Sequence, residues 1–195
     1  MKIKIFNMFE APEQKSSHQE YAERIERNLG VSKKFLKNKK TLDVGAGDSS
    51  LAECYKDEKD ISIIAIDIKE PKLKTEGFVR ADATQMPFED ESFDLILSMG
   101  GPVSILEDRE QVEKIIKEIK RVLKSGGEAR IGQGYLNANI FEPVKKDLEL
   151  EQIFKFFRGK SLEFLQSFGF KQVEEVEIES DKVDKERDYY YRLVK

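Results

Sequence analysis

Residues 40–67, KTLDVGAGDSSLAECYKDEKDISIIAID, decide the fold. The stretch opens on a compact apolar run from Lys40 to Val44 and turns through Gly45-Ala46-Gly47. Ser49 or Ser50 can then cap a helix that carries Leu51, Ala52 and Tyr55 on one side. It closes on Ile61 to Ile68, almost continuously apolar and β-branched, the pattern of a strand covered on both faces. Two buried strands separated by a helix imply a right-handed crossover and parallel pairing.

The same alternation continues on either side. Downstream, Phe78 to Ala81 and Phe93 to Leu97 read as further buried strands. Glu110 to Lys124 is an amphipathic helix with Val112, Ile115, Ile116, Ile119, Val122 and Leu123 on its apolar face, and Ser125-Gly126-Gly127 is its expected stop. A strand from Glu128 to Gly132 follows. Upstream, Tyr21, Ile25 and Leu29 recur at helical spacing over Ser17 to Leu29, with Ser17 and Glu20 in capping-box spacing, and Ser32 opens a short second helix holding Phe35 and Leu36. The tail differs. A helix from Ser161 to Phe168 stops at Gly169, then Phe170 to Ile178 and Asp188 to Val194 are strands with no helix between them, so they pair antiparallel. Tyr189, Tyr190 and Tyr191 alternate faces there and are expected to divide between core and surface. Residues 135–159 read as a loop and a helix inserted after the Glu128 strand.

The whole chain has 195 residues, which predicts one domain able to bury a sizeable core. Its 39% hydrophobic and 37% charged residues are a globular composition. Lys and Arg number 34 against 38 Asp and Glu, a net charge of −4, which disfavours the basic field that generic nucleic-acid binding needs; no DNA partner is expected. The lone Cys54 excludes an internal disulfide and fits a reducing, cytoplasmic setting. No apolar run approaches the ~18 residues of a membrane span, and the N-terminus lacks a signal-peptide core. One His and one Cys provide no metal-ligand spacing, so no metal is expected. The basic run Lys33, Lys34, Lys37, Lys39, Lys40 reads as a solvated helix face.

Three short motifs carry chemistry. The Gly45-Ala46-Gly47 turn after a buried strand lets backbone and ligand approach closely. Asp67 ends the second strand about 20 residues later, where a carboxylate accepts both hydroxyls of a ribose. In Arg80-Ala81-Asp82-Ala83-Thr84-Gln85-Met86-Pro87-Phe88, Asp82 offers an acceptor to an amino group, the Ala83 backbone offers a donor to a ring nitrogen, and Met86 and Phe88 offer apolar cover or ordinary core packing.

In combination and order, LDVGAGDSSL, AIDI, RADATQMPFEDESFDLILS and EIKRVLKSGGEARI resemble the successive motifs of class I S-adenosylmethionine-dependent methyltransferases, the small-molecule type 11 group above all. The resemblance covers Lys40 to Ile131 and extends to the terminal hairpin. It implies an α/β, doubly wound Rossmann-like sheet of seven strands, mostly parallel, with a C-terminal antiparallel hairpin and helices on both faces. A single domain is expected, with an N-terminal helical cap over residues 1–39, a cofactor-binding core over 40–134, and a substrate-side insertion with the terminal hairpin over 135–195. It further implies S-adenosyl-L-methionine as cofactor. Gly45, Ala46 and Gly47 would wrap its methionine part, with Asp43 near the amino group. Asp67 would hold the ribose, Ile68 would pack on the adenine, and Asp82 and Ala83 would face its edge under cover from Met86. Ser98 would lie beside the transferred methyl. Ser49 stands where the family commonly has a third glycine, which alters contacts there.

The acceptor is expected to be a small molecule. Ser98-Met99-Gly100-Gly101-Pro102 lacks the Asn- or Asp-Pro-Pro-aromatic motif of enzymes that methylate base amines. A degenerate cofactor-binding or protein-interaction domain, and a protein or RNA methyltransferase, stay open as alternatives. The candidates for a catalytic base are few. His18 is the single histidine, Tyr21 shares its helix, and Tyr135 follows the fifth strand. Acceptor pockets in this fold are built from the N-terminal helices and the insertions after strands, here residues 1–39, 100–108 and 135–159. The cluster Ile153, Phe154, Phe156, Phe157 is expected to pack on the sheet, with a lid or dimer surface as the alternatives, and the oligomeric state has no sequence signal.

Overall fold

The computed structural model describes residues 16–48, 50–72, 75–132, 159–177 and 189–195. In chain order these form α1 (Ser17–Leu29), α2 (Lys33–Leu36), β1 (Lys40–Val44), α3 (Leu51–Cys54), β2 (Ser62–Asp67), β3 (Phe78–Arg80), β4 (Phe93–Met99), α4 (Pro102–Ile105), α5 (Arg109–Val122) and β5 (Leu123–Gly132). A helix over residues 159–166, α6, then precedes β6 (Gln172–Glu177) and β7 (Tyr189–Val194).

The strands make one seven-stranded sheet in the order β3-β2-β1-β4-β5-β7-β6. The first five are parallel, while β7 pairs antiparallel with both β5 and β6. The chain winds outward from β1 to β3, then returns to lay β4 on the other side of β1. That reversal opens a crevice beyond the carboxyl ends of β1 and β4, the place where doubly wound sheets take ligands.

Both faces of the sheet are covered. On one, α5 buries Val112, Ile115, Ile116, Ile119 and Val122 with Phe164 and Leu165 of α6 against Phe93, Ile96 and Ile131. On the other, Tyr21, Ile25 and Leu29 of α1 pack with Leu36 and Leu51 against Leu95, Leu97 and Met99. This two-sided cover overturns the expectation for the tyrosine run. Tyr189 and Tyr191 enter the first core and Tyr190 the second, so all three are buried.

Two boundaries also differ from the sequence reading. The capping box of α1 is Ser16 with Gln19, one residue earlier than Ser17 with Glu20: the Gln19 amide donates to Ser16 Oγ and the Ser16 amide donates to Gln19 Oε1. Helix α5 ends at Val122, because buried Leu123 pairs with Phe93 as the first residue of β5. Ser125-Gly126-Gly127 is therefore an irregularity inside a strand, after which Leu95 pairs with Glu128. The lysines around α2 are surface residues as expected, with Lys33 on Glu58 and Lys37 on Asp60.

Candidate active site

Helix α1 runs along the carboxyl ends of the central strands and is pinned at several points. The Ser50 amide donates to His18 Nδ1 at 3.1 Å, and the Tyr21 hydroxyl donates to Asp43 Oδ1 at 3.0 Å. At its far end, the buried Arg130 guanidinium donates to the Leu29 and Gly30 carbonyls at 2.6 and 3.0 Å. Arg130 also pairs with Glu128 and lies over the rings of Phe35 and Tyr190. One guanidinium thus satisfies the carbonyls that a helix leaves orphaned at its C-terminus.

The glycine turn hangs from β2, since the amides of Gly45 and Ala46 both donate to the Ile66 carbonyl. Gly45 has φ 81°, and a Cβ there would stand 2.6 Å from Pro102 Cδ and 2.9 Å from Gly101 Cα. Its glycine is required by the approach of the β4–α4 loop as well as by the turn. Gly47, at φ 61°, faces open space.

In front of this turn lies a cavity of about 720 Å³, within the range of small-ligand pockets. Of the residues expected at the site, Gly45, Gly47, Asp67, Ile68, Asp82 and Ala83 line it. Asp67 is anchored at its rim, with Oδ2 accepting from the Gly47 amide at 3.0 Å and Oδ1 from the Lys69 amide at 2.9 Å. Each carboxylate oxygen keeps a lone pair for a further donor. Asp82 is held by Thr84, whose amide and hydroxyl both donate to Oδ1 at 2.8 Å. Ile68 is 61% exposed, the one large apolar side chain so exposed among the described residues. It stands on the cavity wall, ready to be covered by a flat apolar group.

Ala46, Asp43, Met86 and Ser98 do not line the cavity. Met86 is packed into the core beneath it, with its amide donating to Glu118 Oε2 and its carbonyl accepting from Arg121, so ordinary core packing accounts for it. Ser98 is fully buried at the end of β4 and its hydroxyl has no partner, pressed beneath Gly101, which does line the cavity. Asp43 is fully buried behind the turn, and its Oδ2 accepts from the Leu51 amide at 3.5 Å. Burial pushes its carboxyl up to about 7, against the opposing effect of the Tyr21 hydroxyl and the Leu51 amide. Burial and the neighbouring Asp43 push the Tyr21 phenol well above its ordinary range.

Among the base candidates, His18 is engaged with the Ser50 amide and does not line the cavity, and Tyr21 is engaged with Asp43. Tyr135, Ser49 and the cluster Ile153, Phe154, Phe156, Phe157 lie outside the described residues, as does most of the stretch 135–159. Leu106, within the 100–108 stretch expected at the acceptor pocket, closes the cavity from the α4–α5 side together with Gln111 and Ile115, which sequence reasoning missed. Ile115 carried only the signal of a core helix position, and Gln111 carried none. It also missed the Asp48–Lys72 ion pair at 2.9 Å, which joins the turn to the loop after β2.

A doubly wound, mostly parallel sheet with a glycine turn after β1 and a rim carboxylate at the end of β2 is the frame of the α/β class that takes ligands at the carboxyl ends of its strands. Residues 42–131 match a family described as a methyltransferase domain. Over that stretch, just under half of the chain, the sequence is similar to S-adenosylmethionine-dependent methyltransferases. The chain is 36% identical over 115 residues to the eEF1A lysine and N-terminal methyltransferase of Bos taurus, an overlap that covers 50% of this chain and 16% of that protein. It is 33% identical over 101 residues to the demethylmenaquinone methyltransferase of Paenarthrobacter aurescens, covering 48% of this chain and 38% of the other. The chain thus spans well under half the length of either relative. The fold is shared with the PH0226 protein of Pyrococcus horikoshii, with a TM-score of 0.60 at 20% identity over 91% of this chain and 92% of that one. No helix among the described residues is long and apolar enough to cross a membrane.

Proposed function

We propose that this protein transfers the methyl group of S-adenosylmethionine to a small-molecule acceptor. The observation that carries the reading is the pairing of exposed Ile68 with the rim carboxylate of Asp67 on one cavity wall. An apolar face for a base and two free lone pairs for a ribose stand side by side, as an adenosine requires. When bound, the cofactor supplies an activated methyl on a sulfonium, and in-line displacement needs little covalent help from the protein.

The chain's own residues then bind and orient. The Gly45–Gly47 turn lies against the methionine part, Asp67 takes the ribose hydroxyls, and Asp82 with the Ala83 amide faces the edge of the adenine. Leu106 and Ile115 exclude water from the adenine side. The Gly100-Gly101 pair, with Ser98 buried beneath it, borders the end where the methyl is delivered. A small acceptor suits a cavity of this volume, and the similarity to demethylmenaquinone methyltransferase points the same way. The similarity to the eEF1A methyltransferase favours a protein acceptor as the second reading.

Two measurements decide. Calorimetry with S-adenosylmethionine and S-adenosylhomocysteine is expected to give micromolar binding of both, and no binding of either refutes the cofactor site. A methyl-labelled cofactor is then offered with a metabolite extract or with acid-precipitable protein. Label in the small-molecule fraction supports the reading, and label confined to precipitated protein overturns it in favour of the second.

A further inference from the structure

Tyr21 and Asp43 are 22 residues apart, on different elements, and make a buried hydroxyl–carboxylate contact directly behind the glycine turn. We propose that Tyr21 is a positioning residue for the cofactor site: its hydroxyl, carried on α1, orients the Asp43 carboxylate and keeps it ionised, so that the turn presents negative charge to the cationic methionine end of S-adenosylmethionine. The inference rests on the cofactor reading above and assigns to α1 a part in binding.

Asp43 is fully buried and does not line the cavity, so its charge reaches the ligand as a field through the turn. Its surroundings make that charge costly. Burial disfavours the carboxylate, and Asp67 at the end of β2 adds like-charge repulsion. Among the described residues two donors offset this, the Tyr21 hydroxyl from α1 and the Leu51 amide from α3, and the amide is at the long distance of 3.5 Å. The other charged and titratable groups around the pair are Arg24, whose guanidinium lies 5.5 Å over the Tyr21 ring, and His18, which accepts from the Ser50 amide one turn earlier on α1. Neither is bonded to Asp43. The Tyr21 hydroxyl is therefore the closest donor holding Asp43 in its charged form.

The sign follows from linkage. The α-ammonium at the methionine end, carried by S-adenosylmethionine and S-adenosylhomocysteine alike, favours ionised Asp43, so ligand affinity rises as pH rises through the Asp43 titration near 7. Removing the phenolic hydroxyl moves that titration upward, by about one pH unit for the loss of a hydrogen bond to a charged group. The test is Tyr21→Phe, which keeps the ring packed in the α1 core. S-adenosylhomocysteine binding is measured by calorimetry from pH 6 to 8.5 on wild type and variant, with melting curves to show both fold. The Asp43 carboxyl titration is followed by NMR in the ligand-free proteins.

The expected result is about fivefold weaker binding by Tyr21→Phe at pH 7, closing to less than about 1.5-fold at pH 8.5. The Asp43 midpoint moves upward in step. In an Asp43→Asn background the same substitution changes nothing. Profiles that run parallel at a constant offset, or an unmoved Asp43 midpoint, would mean that Tyr21 only packs, and the proposal falls. Wild-type binding that does not vary over this range overturns it as well. Absence of binding by wild type at every pH is distinct from these, since it removes the cofactor reading and the proposal with it.

Discussion

Replacing Gly45 by alanine separates what the glycine turn does for the fold from what it does for a ligand. A substitution at this position invites the view that it blocks ligand approach in an otherwise intact protein. The packing says otherwise. The new Cβ would lie 2.6 Å from Pro102 Cδ and 2.9 Å from the Gly101 backbone, both closer than carbon atoms settle, and φ is 81°. A left-handed conformation costs an L residue about 1–2 kcal/mol, and forcing a methyl into a packed site about 1–3 kcal/mol. Gly45→Ala should therefore lose roughly 2–5 kcal/mol without any ligand present, which in a chain of this length is a fall in melting temperature of roughly 4–20 °C. Gly47→Ala is the control. Its φ of 61° carries only the conformational cost, because among the described residues no atom beyond its chain neighbours lies within 4 Å of the new Cβ. That variant should stay within about 2 kcal/mol of wild type and lose affinity for S-adenosylhomocysteine, since the methyl projects beside the cavity. Urea and thermal unfolding, followed by calorimetry, measure both. A Gly45→Ala protein as stable as Gly47→Ala would refute the claim that the β4–α4 loop dictates this glycine.

Two further predictions concern neighbouring parts of the site. Ile68→Ser should leave stability within about 0.5 kcal/mol, because the side chain is largely exposed, yet cost about 1 kcal/mol in S-adenosylhomocysteine binding; equal affinity would remove Ile68 from the binding surface. Arg130→Met should cost about 2–4 kcal/mol, since the Leu29 and Gly30 carbonyls lose their donor while Glu128 keeps Arg192 at 2.7 Å. Hydrogen exchange in that variant should rise first at the C-terminal turn of α1, and uniform exchange along the helix would contradict the anchoring role.

The strands and the rim of the cavity were legible because local chemistry alone specifies them. The apolar run over Ile61 to Ile68 reads as a covered strand and forms β2 over Ser62–Asp67, with Ile68 just beyond it and exposed, and a carboxylate closing such a strand falls at the cavity where the sheet is doubly wound. What escaped depends on contacts distant in sequence. The burial of all three tyrosines of β7 follows from α1 covering the second face, and the start of β5 at Leu123 follows from its pairing with Phe93. Met86 falls near the right loop, but Glu118 and Arg121, over 30 residues away, turn its backbone so that the side chain enters the core. Gln111 lines the cavity from the first turn of α5, where nothing in its local sequence distinguishes it from a solvent residue. Asp43 was visible only through the resemblance, as the residue near the cofactor's amino group, while Tyr21 on α1 was visible as part of an apolar stripe and as a candidate base, with nothing to pair it with Asp43.

That partnership has a cost to folding, and the cost is itself evidence about purpose. A carboxyl whose folded value is about 7, against an unfolded value near 4, binds more protons in the native state than in the unfolded state between those limits. The stability it contributes therefore falls as pH rises from about 4 through 7, and above 7 the native protein carries the full cost of a buried charge. Asp43→Asn removes this cost while keeping an oxygen for the Tyr21 hydroxyl. It should be more stable than wild type at pH 8, by on the order of 2–4 kcal/mol, with the advantage shrinking toward pH 5 as wild-type Asp43 takes up its proton. The same variant should bind S-adenosylhomocysteine more weakly. A substitution that strengthens the fold and weakens the ligand marks a residue kept for binding, whereas one that weakens both marks a structural residue. Unfolding curves at pH 5 and pH 8 discriminate the two, and an Asp43→Asn protein less stable than wild type at pH 8 would show that the charge behind the turn is part of the scaffold.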